Sequence, residues 1–147
     1  MATLEAGLKT FLNADAALAA ILTGGILDTD DDLFREDVSA SKAPRETDGV
    51  TLKPFAFIRW RTELPTEIRA YSERHTLEIY LYQHAGYVTI RQAKARLKAL
   101  LDRKTIASDN YGMGMFHWRG GTNEFPAVEL GNASGAITRW YVDVTRK

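Results

Sequence analysis

The 147-residue sequence contains no cysteine. This absence excludes disulfide bonds, thiolate nucleophiles and every zinc site that uses cysteine ligands, and it fits synthesis in a reducing compartment. No apolar run approaches the roughly 20 residues that a membrane-spanning helix needs. Residues 1–25 also lack the basic start and the long apolar core of a signal peptide. We therefore expect a soluble protein that has no membrane partner and no signal-directed export.

The sequence also lacks net charge, because 19 lysines and arginines balance 19 aspartates and glutamates. No global basic excess is available to hold nucleic acid, so we expect no sequence-specific nucleic-acid partner. The charges are nevertheless segregated along the chain. Residues 28–37 contain six acids and one arginine, a balance of −5, whereas residues 91–104 contain six bases and one aspartate, a balance of +5.

This segregation has two interpretations, which the sequence leaves open. Both segments can be solvated surfaces, or the acids and bases can form contacts between neighbouring copies in a ring, since complementary patches suit head-to-tail interfaces. On the second interpretation, the candidate inter-subunit or partner contacts are Asp30, Asp31, Asp32, Glu36, Asp37, Arg91, Lys94 and Lys98.

Two helices are predicted from an apolar period of about 3.6 residues. The first covers residues 3–23, and Gly24-Gly25 ends it because glycine adopts the left-handed conformation of a helix C-cap. The second covers residues 90–101, and Gly86 is the predicted hinge before it. The outward residues of the second helix are Arg91, Lys94, Arg96 and Lys98.

Strands are predicted where apolar and polar residues alternate. They cover residues 54–61, residues 75–82 and three C-terminal segments, "MGMFHWRG", "FPAVELGN" and "GAITRWYVDVTRK". The last segment has one buried side and one side that is solvated or faces a partner. Its buried residues are Trp140, Val142 and Val144, and its opposite side carries Arg139, Tyr141 and Asp143.

Three connecting segments separate these elements. Residues 28–53 are predicted as a charged excursion, residues 62–74 as a loop or a distorted long hairpin, and "DRKTIASDNYG" as a connection. The order helix, strands, helix, strands predicts a single α+β domain over residues 1–147, with two helices packed on one face of a mostly antiparallel sheet. The predicted core comprises Ile58, Trp60, Leu77, Ile79, Leu81, Trp140, Val142 and Val144, covered by Leu8, Phe11, Leu97 and Leu101.

The three histidines, His75, His84 and His117, do not have the spacing of metal ligands. We interpret them as ordinary strand-end or surface residues. No serine lies in a nucleophile elbow, and the paired acids of residues 62–74 lack the apolar neighbours that would raise a pKa. The sequence therefore predicts no catalytic residue and no enzyme activity.

Asp28, Asp30 and Asp32 have the first three ligand spacings of a calcium loop. The match fails at Leu33, where the loop needs glycine, and at Ser39, where it needs glutamate. A weak divalent-ion site is one interpretation, and a solvated acidic loop or charged contact surface is the one that we adopt. We predict no metal site and no cofactor.

Four segments resemble, in order, the tail-completion or tail-terminator family of long-tailed bacteriophages. They are "LEAGLKTFLNADAALAAIL", "PFAFIRW", "HTLEIYLYQHAGYVTIRQAKARLKALL" and "ITRWYVDVTRK". The resemblance implies a two-helix α+β fold and a hexameric ring. It also implies a position at the head-proximal end of the virion tail, where the ring contacts the tail tube protein and a neck or connector protein and leaves a passage for DNA.

On the same resemblance, the protein is assembled in the host cytoplasm and has no catalytic residues. His84, Ala85 and Gly86 are then the corner between a strand and the helix packed on it. Two alternatives stay open: another head–tail connector or neck protein, and a small enzyme whose site forms only in the fold.

Overall fold

The computed structural model describes residues 4–27, 43–65, 72–107, 111–121, 124–127 and 133–146. These residues form three helices and seven strands, so the predicted α+β class is confirmed. No helix among them is long and apolar enough to span a membrane. In chain order the elements are α1 (Leu4–Asn13), α2 (Ala16–Ile21), β1 (Ile26–Leu27), β2 (Phe55–Pro65), β3 (Ser72–Gln83), α3 (Val88–Leu101), β4 (Thr105–Ala107), β5 (Tyr111–Gly121), β6 (Phe125–Ala127) and β7 (Ala133–Arg146).

The seven strands form one sheet in the order β1-β2-β3-β7-β5-β4, and β6 also pairs with β7. Every pairing is antiparallel except that of β1 with β2, which is parallel. The central pair is β3 with β7, whose register runs from Ser72 opposite Thr145 to Gln83 opposite Ser134. Long antiparallel pairs of this kind place directly opposed side chains on the same face.

The predicted first helix is wrong in one respect, because residues 4–21 form two helices in place of one. Asp15 interrupts the helix with extended backbone angles, φ −83° and ψ 111°, and its carboxylate accepts a hydrogen bond from the Leu18 N–H at 2.8 Å. An aspartate at this position stabilises a new helix start, since it satisfies a backbone N–H that has no helical partner. The described chain therefore has three helices, not the two that were predicted.

The main core joins the helices to alternate residues of the strands. Leu8, Leu18 and Leu97 represent the three helices in this cluster, and they are fully buried. From the strands it contains Ile26, Ala56, Ile58, Leu77, Ile79, Leu81, Ile106, Phe116, Ala136, Trp140 and Val142. The predicted core is confirmed for all but three of its residues: Trp60 and Phe11 are half-buried, and the side chain of Val144 lies outside the description.

A second, smaller apolar cluster is formed by strand residues that alternate with those of the main core and therefore lie on the other face of the sheet. Phe55 stacks on Tyr82 with ring centroids 5.1 Å apart, and Ala43 and Leu52 from the segment before β2 are buried beside them. The described part of the predicted excursion, residues 43–53, thus contributes apolar cover and a turn with Arg45 opposite Leu52. It is not only a charged excursion.

The remaining differences concern strand length. The segment predicted as a loop or hairpin contributes the ends of β2 and β3, with a register shift between Trp60 and Thr62, so the hairpin alternative applies to its described residues. The predicted connection after α3 contains β4, and Ile106 of that strand is buried. Two- and three-residue strands such as β1 and β4 are too short to produce a detectable period.

The corner between β3 and α3 has the predicted hinge at Gly86, whose φ of 75° favours glycine. Gln83, at the end of β3, hydrogen-bonds to backbone groups on both sides of this hinge. Its side-chain amide donates to the Ala85 carbonyl at 2.7 Å, and its side-chain oxygen accepts from the Ile90 N–H at 2.8 Å. The helix start has no side-chain cap of its own, so Gln83 supplies one from the preceding strand.

Candidate functional site

The basic side of α3 is less free than the sequence suggested. Arg91 is exposed, yet its guanidinium donates two hydrogen bonds to Glu124, from Nε to Oε1 at 2.7 Å and from Nη2 to Oε2 at 2.8 Å. This contact lowers the pKa of the Glu124 carboxyl. A predicted contact for a neighbouring copy is thus occupied within its own chain.

Arg96 is also paired within the chain. It is half-buried and makes two hydrogen bonds to Asp15, from Nε at 2.9 Å and from Nη2 at 2.6 Å. Arg96 lowers the pKa of Asp15, and Asp15 raises that of Arg96. The pair connects α3 to the N-cap of α2, which is a structural role.

The two lysines of this helix, Lys94 and Lys98, make no salt bridge with a carboxylate among the described residues, but the charge of Lys94 contributes to the lowered pKa of Glu124. Lys98 is exposed, and its ammonium lies 5.3 Å from the centroid of the Trp118 ring, within the range of a cation–π contact. The predicted acidic contacts Asp30, Asp31, Asp32, Glu36 and Asp37 lie outside the described residues. Contact between the acidic and basic segments therefore stays a prediction.

The three histidines lie in different environments. His75 is in the interior of β3 with 3% exposure, and its ring packs edge-on against Trp60 at 5.5 Å, so the strand-end or surface interpretation is wrong for it. Its position opposite Val142 on the core face explains the burial. His84 is exposed and its Nδ1 accepts from the Leu52 N–H at 3.3 Å. In the described ranges, no three histidine or acidic side chains lie together as metal ligands would.

A charged surface lies on the other side of the sheet from the main core. We call it the charged half-face and define it by Arg74, Glu78, Arg119, Arg139, Tyr141 and Asp143. Register places its members in rows across the sheet, with Glu78 opposite Arg139 and Arg74 opposite Asp143. The half-face lies on the same face of the sheet as the second apolar cluster. Phe57 and Tyr80, whose ring centroids are 6.1 Å apart, form the side of that cluster next to the half-face.

Asp143 is the acceptor at the centre of one row. Arg74 donates to its two oxygens at 2.8 and 3.4 Å, and His117 Nε2 lies 3.3 Å from Oδ2. The pKa of Asp143 is lowered chiefly by the Arg74 hydrogen bond, against burial, which acts to raise it. Beyond the intervening Thr76–Tyr141 pair, Arg139 Nε lies 3.4 Å from Glu78 Oε2.

Two guanidinium groups contact the Tyr141 ring. The central carbon of Arg119 is 3.9 Å from the ring centroid, and that of Arg74 is 5.0 Å from it. Beside the ring is an open depression of about 320 Å³. It is lined by Thr76, Leu77, Glu78, Arg119, Arg139, Trp140 and Tyr141.

Only part of the charged half-face could be predicted from the sequence. Alternation along β7 predicted that Arg139, Tyr141 and Asp143 share a solvated or partner-facing side, which the structure confirms. The residues from β3 and β5 could not be predicted from the sequence, because only strand order and register bring Arg74 and Arg119 to the same place.

These observations define an α+β domain with one mostly antiparallel sheet. Among solved structures, a chain of the "Virion of native gene transfer agent (GTA) particle" is similar. The two are 17% identical, with a TM-score of 0.65, over 97% of this chain and 94% of that chain. At this identity the likeness shows a shared fold. No protein-family model and no curated protein matches the sequence.

Proposed function

We propose that this chain is a structural virion protein, and specifically a ring-forming tail terminator. The observation that carries the proposal is the shared fold over almost the whole of both chains with a component of a gene transfer agent virion. The resemblance of four segments to the tail-terminator family supports the narrower role. No observation in the described residues favours an enzyme.

In this proposal the helices cover one face of the sheet in each protomer, and six protomers form a closed ring. The ring occupies the head-proximal end of the tail tube, contacts the tube protein on one side and a neck or connector protein on the other, and leaves a central passage for DNA. A closed ring requires head-to-tail contacts between two different surfaces of each copy. Segregated charge along the chain is compatible with such contacts.

A terminator acts by occupying the growing end of a polymer. One side of the ring copies the interface of a tube subunit, and the other side does not, so a further subunit finds no template. Binding and shape are sufficient for this activity. The proposal therefore requires neither a catalytic residue nor a cofactor.

The test is electron microscopy of a phage whose gene for this protein is deleted. We expect filled heads without attached tails, together with tubes of irregular and excessive length, because nothing stops tube growth. Purified protein added to a deletion lysate should restore attachment to tubes of normal length. A virion lacking a different tail protein is the control.

The neck alternative makes a different prediction for the same micrographs. A connector that acts after tail completion leaves free tails of normal and uniform length. Uniform free tails would therefore contradict the terminator role and retain a neck role. Normal virions in the deletion lysate would contradict both structural roles.

A further inference from the structure

We propose that the charged half-face is a docking surface for a protein segment, presented by another protein, that carries carboxylate side chains. The composition and geometry of this surface carry the proposal, which is independent of the terminator role. It also selects a different surface from the basic side of α3 that the sequence suggested.

The surface has an excess of positive charge. The half-face has three arginines and two carboxylates, and Arg59 lies next to it, opposite Glu78 in the register. Four arginines against two acids leave an excess of two positive charges. Among the described residues, neither Arg119 nor Arg59 has a carboxylate partner.

The arginines of this surface are positioned to bind a carboxylate. Arg119 is exposed and lies over the Tyr141 ring at 3.9 Å. A ring contact of this kind uses none of the guanidinium N–H donors, which remain available for a carboxylate in the geometry that suits arginine. Arg139 lines the same depression with half of its side chain exposed. Because Tyr141 already holds Arg119, less side-chain freedom is lost when a partner binds.

The arrangement of the charges favours a protein partner over a nucleic acid. Glu78 and Asp143 alternate with the arginines, and they would repel a continuous phosphate backbone, whereas a protein surface can match alternating charges. Each strong base on this surface whose side chain is described is an arginine, and the surface contains tyrosine. Arginine and tyrosine are enriched in protein interfaces and in their energetic centres, while lysine is depleted.

A second copy of this surface is a poor occupant. In a two-fold contact the same patch meets itself, and two patches that each carry an excess of two positive charges repel one another. The same patch of a second copy is therefore not the acidic occupant.

The experiment is an NMR titration of ¹⁵N-labelled protein with poly-L-glutamate at low ionic strength. We expect saturable shifts of the Arg119 and Arg139 Nε–H signals and of the β3 and β7 amides. The variant Arg119→Gln/Arg139→Gln should bind at least about tenfold more weakly, since a hydrogen bond to a charged group contributes about 1.5 kcal/mol or more. Its β3 and β7 amide signals report that the sheet is intact.

Arg91→Gln is the matched control, because it removes an exposed arginine from α3 and should leave poly-L-glutamate binding unchanged. Shifts confined to α3, an equal loss of binding in the control, or no binding would overturn the proposal. If the same signals report tighter binding of a short DNA duplex, the surface recognises nucleic acid and the proposal is wrong. Shifts that depend only on protein concentration would replace the partner with a second copy. None of these outcomes affects the deletion test of the terminator role.

Discussion

At the scale of single residues, Gln83 stabilises the corner between β3 and α3, a role that its position at a strand end does not suggest. Its side chain bonds the Ala85 carbonyl and the Ile90 N–H, two backbone groups at the strand-to-helix corner. We expect Gln83→Ala to destabilise the protein by about 1–3 kcal/mol, the usual cost of leaving a buried polar group without its partner. Urea unfolding of both proteins measures the difference.

Gln92→Ala is the control for this substitution. Gln92 lies on the exposed side of α3, where truncation should change stability by less than about 0.5 kcal/mol. Equal stability of the two variants would show that the corner does not need the Gln83 contacts.

Asp48 makes the stability of the turn before β2 depend on pH. Its carboxylate accepts hydrogen bonds from the Thr51 hydroxyl and from the Val50 and Thr51 N–H groups, at 2.7, 2.8 and 2.9 Å. These donors, the Thr51 hydroxyl foremost, lower the pKa of Asp48 from 3.8 to about 2. A carboxyl with a lowered folded pKa stabilises the fold above its unfolded pKa, and this contribution disappears as the pH falls through the folded value.

We therefore expect the stability difference between the protein and its Asp48→Asn variant to narrow as the pH falls from 3.8 to about 2. Urea unfolding at several pH values measures it, and an NMR titration of the Asp48 carboxyl carbon gives the pKa directly. A carboxyl midpoint near 4 would show that these hydrogen bonds do not hold the turn in solution.

At the scale of the elements, α3 depends on its apolar stripe. Leu97 is fully buried in the main core. Leu97→Ala should lower the unfolding free energy by about 2–5 kcal/mol, because it removes apolar contacts and leaves a cavity. Chemical denaturation measures this loss.

Leu100→Ala is a matched control on the same helix. Leu100 is half-buried at the edge of the core, so its truncation should cost clearly less than that of Leu97. A loss under about 0.5 kcal/mol for Leu97→Ala, which is typical of surface sites, would show that this side of α3 is not packed.

At the scale of the whole molecule, the segregated charges predict that ring formation is partly electrostatic. The Debye length falls from about 10 Å at 0.1 M salt to about 3 Å at 1 M, so exposed charge pairs weaken as salt rises. If a ring assembles in vitro, high salt and Lys98→Glu should each reduce its mass in light scattering. Lys98 is preferable to Arg91 for this test, because Arg91 already pairs with Glu124 inside the chain.

Lys53→Glu changes the net charge equally at a position outside the basic segment, and it should leave the assembly mass unchanged. An assembly mass that is the same for wild type and Lys98→Glu at all salt concentrations would leave apolar contacts as the basis of the ring.

Features that depend on neighbours a few residues apart could be predicted from the sequence. The period of α3, the alternation along β3 and β7 and the glycine hinge at Gly86 are of this kind, because backbone geometry repeats over two to four residues. The class of fold followed from the order of these elements. The break at Asp15 was also local in origin, but the alanine-rich helical pattern around it concealed the cap.

Contacts between side chains that are distant in the sequence could not be predicted, because they depend on how the elements pack. Arg74 and Asp143 are separated by 69 positions and Arg96 and Asp15 by 81, and no local period relates them. Sheet register placed the first pair on one face and helix packing placed the second at a helix end. Those pairings turned part of the predicted basic surface of α3 into internal contacts, and they assembled the charged half-face from strands whose order cannot be read along the chain.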